Sequence, residues 1–341
     1  MTSSTEITVI SGLGYSDEGK GHITQLIAHE YDVILRCNGS WSSSHQVTKD
    51  TSVLCHHMPS SLNLEQILII GEGMFIKPDV LIAELEQDIR KKQMIYISEN
   101  CFVIMDESKP LSEIGTLGSG VRHASIEKIN HKGIRIKELV ENGKYTELKA
   151  YLISDDEYFN LTNGKKILIE GSHGYKIDCN FGDYPYTTST ITSPTGILYL
   201  SKYGAECHKD TIFVTGLILS SLSIHPDHQT YEQLGLSYLE SYIPENVRYD
   251  KACGKPLARN FGPFNIDMVK KIIRYHSKCL LYLTFFDLID NMGVFHYIKD
   301  DTLMSLYKSK GIDFKSEINN LLTKELNRML IICDPPKFIK S

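Results

Sequence analysis

The sequence predicts an α/β fold: a single large domain over residues 1–341, with a central, mostly parallel sheet flanked by helices and a P-loop-like phosphate loop near its N-terminus. Three observations point there. Short apolar runs alternate with helix-like stretches, which is the pattern of strand–helix–strand units. Several of those runs end directly in polar or glycine residues: Ile167-Leu168-Ile169 in Glu170-Gly171, and Ile212-Phe213-Val214 in Thr215-Gly216. Open parallel sheets keep their sites at such strand ends. The third observation is the first strand itself, Ile7, Val9 and Ile10, which runs into a glycine-rich turn and then a helix start.

Taken in order, Val33-Ile34-Leu35 and Ile67–Ile70 read as buried strands, and Pro78–Lys91 as an amphipathic helix. Met94–Ile97, Phe102–Met105 and Leu280–Phe285 read as further strands. In the helix after the first turn, Ile23, Leu26 and Ile27 are spaced for one face. There is no internal repeat, low-complexity tract or clear linker, so one domain is the simpler reading.

Bulk properties narrow the function. At 42% hydrophobic and 23% charged, the chain is ordinary for a globular protein. A net charge of −6 argues against a nucleic-acid or membrane-surface role. No apolar run reaches the ~18–20 residues of a membrane helix. Residues 1–6 lack the basic and apolar regions of a signal peptide. The eight cysteines include no Cys-x-x-Cys pair, so they read as reduced thiols of a cytoplasmic protein.

The turn after the first strand carries the chemistry. Gly14-x4-Gly19-Lys20 follows most of the Walker A pattern, but Gly21 stands where that pattern needs Ser or Thr. Gly14, Ser16, Gly19 and Gly21 suit the close backbone approach of a phosphate. A loop that only bound phosphate would avoid carboxylates, and this one carries Asp17 and Glu18. Asp17 therefore points to a metal ligand or a proton acceptor beside the phosphates. The plainer alternative is a glycine turn with solvated acids.

Gly12-x4-Asp17-Glu18-Gly19-Lys20-Gly21 resembles the N-terminal signature of adenylosuccinate synthetases. Those enzymes join L-aspartate to the 6-position of a purine monophosphate, driven by GTP. The resemblance implies Asp17 as catalytic base and Mg2+ ligand, and Lys20 with the loop residues, Glu18 included, as the phosphate holder. Arg36–His45 resembles the family segment that ends in the general acid, which implies that role for His45. A histidine can donate a proton near neutral pH. Ser44 stands at a magnesium-binding carbonyl, and Ser42 at an Asn that contacts nucleotide.

Further blocks extend the likeness from Val9 to about Pro336. Ile114–Val121 resembles the monophosphate loop and implies Thr116 and Gly118 as contacts, with Leu117 and Ser119 departing from the pattern. His131 stands where a dimer partner supplies an Arg, which implies a homodimer. Glu170–Gly174 and Asp178–Ser189 resemble a second block and imply His173 at the purine and Thr188 at the phosphate. Lys251–Phe261 resembles the aspartate loop and leaves Arg259 and Lys255 for the amino acid. Thr230–Gly235 is closer to the phage branch. Leu283–Asp287 resembles the guanine-reading segment, with Asp287 for the donor base and Phe285 as a stacking face.

Three functions follow. The first is ligation of aspartate to an IMP-like nucleotide, with GTP (or ATP or dATP) as donor and Mg2+. The second is the same chemistry on dGMP, as in viral 2-aminoadenylosuccinate synthetases. The third is a nucleotide-binding relative without ligase activity.

Overall fold

The computed structural model describes residues 4–48, 52–105, 118–223, 225–250 and 257–333. Nine strands form its main sheet: β1 (Glu6–Gly12), β2 (Val33–Arg36), β3 (Ile67–Ile70), β4 (Met94–Ser98), β5 (Leu152–Ile153), β6 (Lys166–Gly174), β7 (His208–Gly216), β8 (Cys279–Thr284) and β9 (Leu330–Ile332). They lie in the order β9-β8-β7-β1-β6-β2-β3-β4-β5, and every neighbouring pair is parallel. The sequence explains why. Ile7, Val9, Ile10, Val33, Ile34, Leu35 and Ile167–Ile169 are wholly buried, as a sheet covered on both faces requires. Alternate residues serve opposite faces. Ile10, Ile34 and Leu68 pack with Ile23 and Leu81 of the helices Lys20–Ile27 and Pro78–Leu85. Ile7, Val9, Leu35 and Ile169 pack with Tyr158 and Ile197 of Asp155–Thr162 and Pro194–Leu200.

The chain moves outward from β1 through β2 to β5, then returns to lay β6 and β7 on either side of β1. Strand order therefore reverses beside β1, and the loops after β1, β6 and β7 open there, where such sheets bind ligands. A second, four-stranded sheet is built from Ile218–Ser221, Asn260–Asn265, Val294–Lys299 and Thr302–Tyr307, with its outer pairs antiparallel. Among the described residues seven cysteines are free thiols, and no helix is long and apolar enough to cross a membrane.

Three local expectations change. The helix from Pro78 stops at Leu85, and Arg90–Lys92 forms a separate 3-10 turn. Arg90 causes this by turning inward. It is 2% exposed, and its guanidinium donates to the Ser61 carbonyl at 3.0 Å and to Gln93 Oε1 at 2.8 Å. Leu26 does not share the buried face of Ile23 and Ile27; it is 49% exposed. Phe102–Val103 is a two-residue strand that pairs with Phe75–Ile76 outside the main sheet.

Candidate active site

The loop after β1 is folded around its own glutamate. Glu18 is almost fully buried. Its Oε1 accepts the Gly14 N–H at 2.5 Å, and its Oε2 pairs with Lys20 Nζ at 2.7 Å. Burial pushes the Glu18 carboxyl upward, against the opposing pull of Lys20 and the Gly14 N–H. With its side chain committed inward, residue 18 is left only its backbone N–H for a phosphate. Ser16 (φ 119°), Asp17 (φ 53°) and Gly19 (φ 83°) all lie in the left-handed region, which costs the two non-glycines energy and marks a constrained segment. The helix Lys20–Ile27 then begins at Gly19.

Gly21 has a steric cause. A Cβ there would lie 2.6 Å from His45 Cβ and 2.9 Å from Ser60 Oγ. The Ser or Thr of a Walker loop has no room, because the helix start backs directly onto His45.

His45 is held by Glu170, midway along β6. Its Nδ1 bonds Glu170 Oε1, while Glu170 Oε2 accepts the Ser60 N–H at 2.7 Å and Oε1 the Ser60 hydroxyl at 2.5 Å. Burial works to raise the Glu170 carboxyl, but His45, Arg36 and Ser60 together bring it down to about 2. The ionised carboxylate makes Nδ1 the protonated nitrogen and leaves Nε2 facing away from it. Burial, then Arg36, lower the His45 pKa against Glu170's pull. With Nδ1 turned to Glu170, a proton on Nε2 requires the ring to become a cation, which Glu170 would support.

Asp17 sits opposite. Its carboxylate is 43% exposed on the side chain and pairs with Arg259, itself 7% exposed. Burial works to raise its pKa, but Arg259, Lys20, His45 and His173 hold it below the ordinary value. His173 (φ 61°) is pushed down to about 4 by burial and Lys20, against Asp17. Asp17, Lys20, His45, His173 and Arg259 are thereby brought into one charged cluster at the reversal point. Among the described residues no group of three or more His, Cys, Asp or Glu side chains forms a metal centre. One accessible carboxylate fits magnesium, which is commonly held by one or two carboxylates plus nucleotide phosphates.

Behind His45, the wholly buried Arg36 ties the loops together. It donates to the Ser43 carbonyl, to Ser172 Oγ at 3.1 Å and to the His56 carbonyl at 3.0 Å. Asn38 bridges to the next strand, its Oδ1 accepting the Ser172 N–H at 2.9 Å. Ser42 bonds Ser40 Oγ at 3.1 Å, and Ser44 is half-buried beside them. Asp178 organises the second block, since its carboxylate accepts N–H groups of Asn180, Phe181, Thr192 and Ser193 at 2.5–3.1 Å. That holds the turn carrying Thr188, whose N–H donates to the Ile177 carbonyl. Asp287 lies half-buried in the first turn of Phe286–Met292, and burial raises its pKa. Phe285 (φ 63°) precedes it. The Thr284 hydroxyl donates to the Glu18 carbonyl at 2.7 Å, which joins this segment to the loop.

Gly118 (φ 73°) leads into the helix Val121–Ile129, and His131 (φ 60°) is exposed beyond its end. No described contact ties His131 to the loop. Thr116 and Lys255 lie outside the described residues. Sequence reasoning passed over Glu170, Ser60, Arg36 and Asp178 as site residues. Only Glu170 carried a signal, as a carboxylate directly after the apolar run Ile167–Ile169.

Comparison with known proteins gives the family and the fold. The adenylosuccinate synthetase family model matches residues 9–160 and 145–293. The chain is 25% identical to the adenylosuccinate synthetase of Halothermothrix orenii over 83% of its length and 78% of that protein's. It is 26% identical to that of Thermoplasma volcanium, over 85% and 77%. With the Thermosipho africanus enzyme it shares 28% identity over 56% of this chain, which spans 58% of that relative. The fold is shared with a fully ligated adenylosuccinate synthetase from Plasmodium falciparum (TM-score 0.79, 19% identity, 96% and 97% covered). It is also shared with the cyanophage S-2L succinoaminodeoxyadenylate synthetase bound to dGMP and dATP (TM-score 0.66, 16% identity, 94% and 99% covered). The chain belongs to the adenylosuccinate synthetase family, a family of C–N-bond-forming ligases.

Proposed function

We propose that this chain is a purine nucleotide ligase. It moves the γ-phosphoryl group of a nucleoside triphosphate to the 6-oxygen of an IMP-like monophosphate, and the amine of L-aspartate then displaces phosphate from C6. The observation that carries this reading is the clustering of Asp17, Lys20, Glu170-supported His45, His173 and Arg259 around one phosphate-type loop. Asp17 takes the purine N1 proton, leaving the 6-oxygen nucleophilic. His45, once protonated, stabilises that oxygen. Lys20 exchanges Glu18 for the transferring phosphate. Arg259 exchanges Asp17 for a carboxylate of the incoming amino acid, freeing the base only when the second substrate is present. Such transfer rests on positioning and charge stabilisation. Asp17 and the Ser44 carbonyl would hold magnesium, which would neutralise phosphate charge.

The donor is GTP, with Asp287 accepting the guanine N1–H and N2–H. The enzyme works as a cytoplasmic homodimer in which the exposed His131 reaches the partner's monophosphate. The test is product analysis with IMP or dGMP, GTP or dATP, and magnesium, with and without L-aspartate. A succinyl-aminopurine nucleotide formed from IMP only with aspartate supports the reading. Product from dGMP alone moves the substrate to the 2-aminopurine, and donor hydrolysis with no aspartate-dependent product contradicts ligation.

A further inference from the structure

Trp41 is the one tryptophan of the chain, and none of the roles above uses it. It lies between the end of β2 and His45, 9% exposed, packed with Phe75, Ile104 and Ala124. Its indole N–H donates to the Ser119 carbonyl at 3.0 Å, and its own carbonyl bonds His56 Nδ1 at 2.8 Å. Ser119 stands between Gly118 (φ 73°) and Gly120 (φ 85°), two residues that impose little conformation of their own. A trans peptide holds its C=O and N–H antiparallel. Fixing the Ser119 carbonyl on the indole therefore aims the Gly120 N–H the opposite way. Gly120 is the N-cap of Val121–Ile129.

We propose that Trp41 is a positioning residue for the monophosphate: it bolts the Gly118–Gly120 turn to the loop that ends at His45, so that phosphate binding at the turn and proton transfer at His45 share one rigid support. This rests on the proposed function and on the likeness of Ile114–Val121 to the family's monophosphate loop, which implies the monophosphate at that turn. Because Trp41 is the sole tryptophan, its emission reports the state of the turn directly.

Two measurements test it. Wild-type protein is titrated with IMP and with dGMP, following tryptophan emission and, separately, binding heat. Trp41→Phe, which keeps the ring packing and removes the N–H, is then compared with wild type in kinetics. The expected results are an emission change that tracks the binding heat, and a KM for monophosphate about three- to tenfold higher, with KM for the donor and kcat at saturation within about twofold. Monophosphate binding that leaves the emission unchanged, or a variant with unaltered or equally altered KM for both nucleotides, overturns the positioning role while the ligase reading stands. Absence of binding heat with either monophosphate overturns both.

Discussion

Asp17 shows how one residue's chemistry is set by its neighbours. Its backbone is left-handed, its carboxylate is partly exposed, and four cationic or imidazole groups hold it ionised. Asp17→Asn is expected to keep the fold and nucleotide binding but lower kcat by ~10²–10⁴, the usual size of general-base loss. An unchanged kcat in steady-state assays would remove Asp17 from the mechanism. At His45 the supporting carboxylate is the testable part. Glu170→Gln retains the shape but not the charge that sustains a protonated ring, so kcat is expected to fall by about 10²-fold, the lower end for an acid–base group, with little change in donor KM. Asp17 and His45 were legible in the sequence because their motifs are local. The Glu170–His45 and Asp17–Arg259 pairs were not, since each joins residues that only strand order and the second sheet bring together.

At the scale of elements, the helix start at Gly19 is the tightest joint. Sequence alone marked Gly21 as a departure from the Walker pattern without a reason; its contact with His45 and Ser60 supplies one. Gly21→Ser is therefore expected to destabilise the protein by about 1–3 kcal/mol through overpacking, read as a lowered midpoint in urea. If the variant matches wild-type stability and activity, the helix does not back onto His45 as described. The strands were legible for a related reason: continuous Ile, Leu and Val runs can be satisfied only by burial on both faces. The helix from Pro78 ends before its apolar spacing does because the inward turn of Arg90 answers to carbonyls on another segment, Ser61 and Pro59. No local pattern encodes that.

Across the whole molecule, the reversal of strand order beside β1 brings residues from distant segments together at one end of the sheet. The fold also buries several histidines as neutral rings. Burial pushes His173 and His225 down to about 4 and His228 to about 3. Between about 6.5 and 4 the unfolded chain binds protons that the folded one refuses. Stability is thus full above 6.5 and lost as pH falls through that window. The thermal midpoint is expected to hold from pH 7.5 to about 6.5 and to drop from there to pH 5, less steeply in His228→Gln; no drop below about 6.5 would mean that these rings are not buried. Phosphorylation of the purine 6-oxygen, followed by its departure with the phosphate, is open to an isotope-transfer measurement. With IMP carrying 18O at the 6-position, each phosphate released in the presence of GTP, magnesium and L-aspartate is expected to carry that 18O. Unlabelled phosphate accompanying product formation would contradict it.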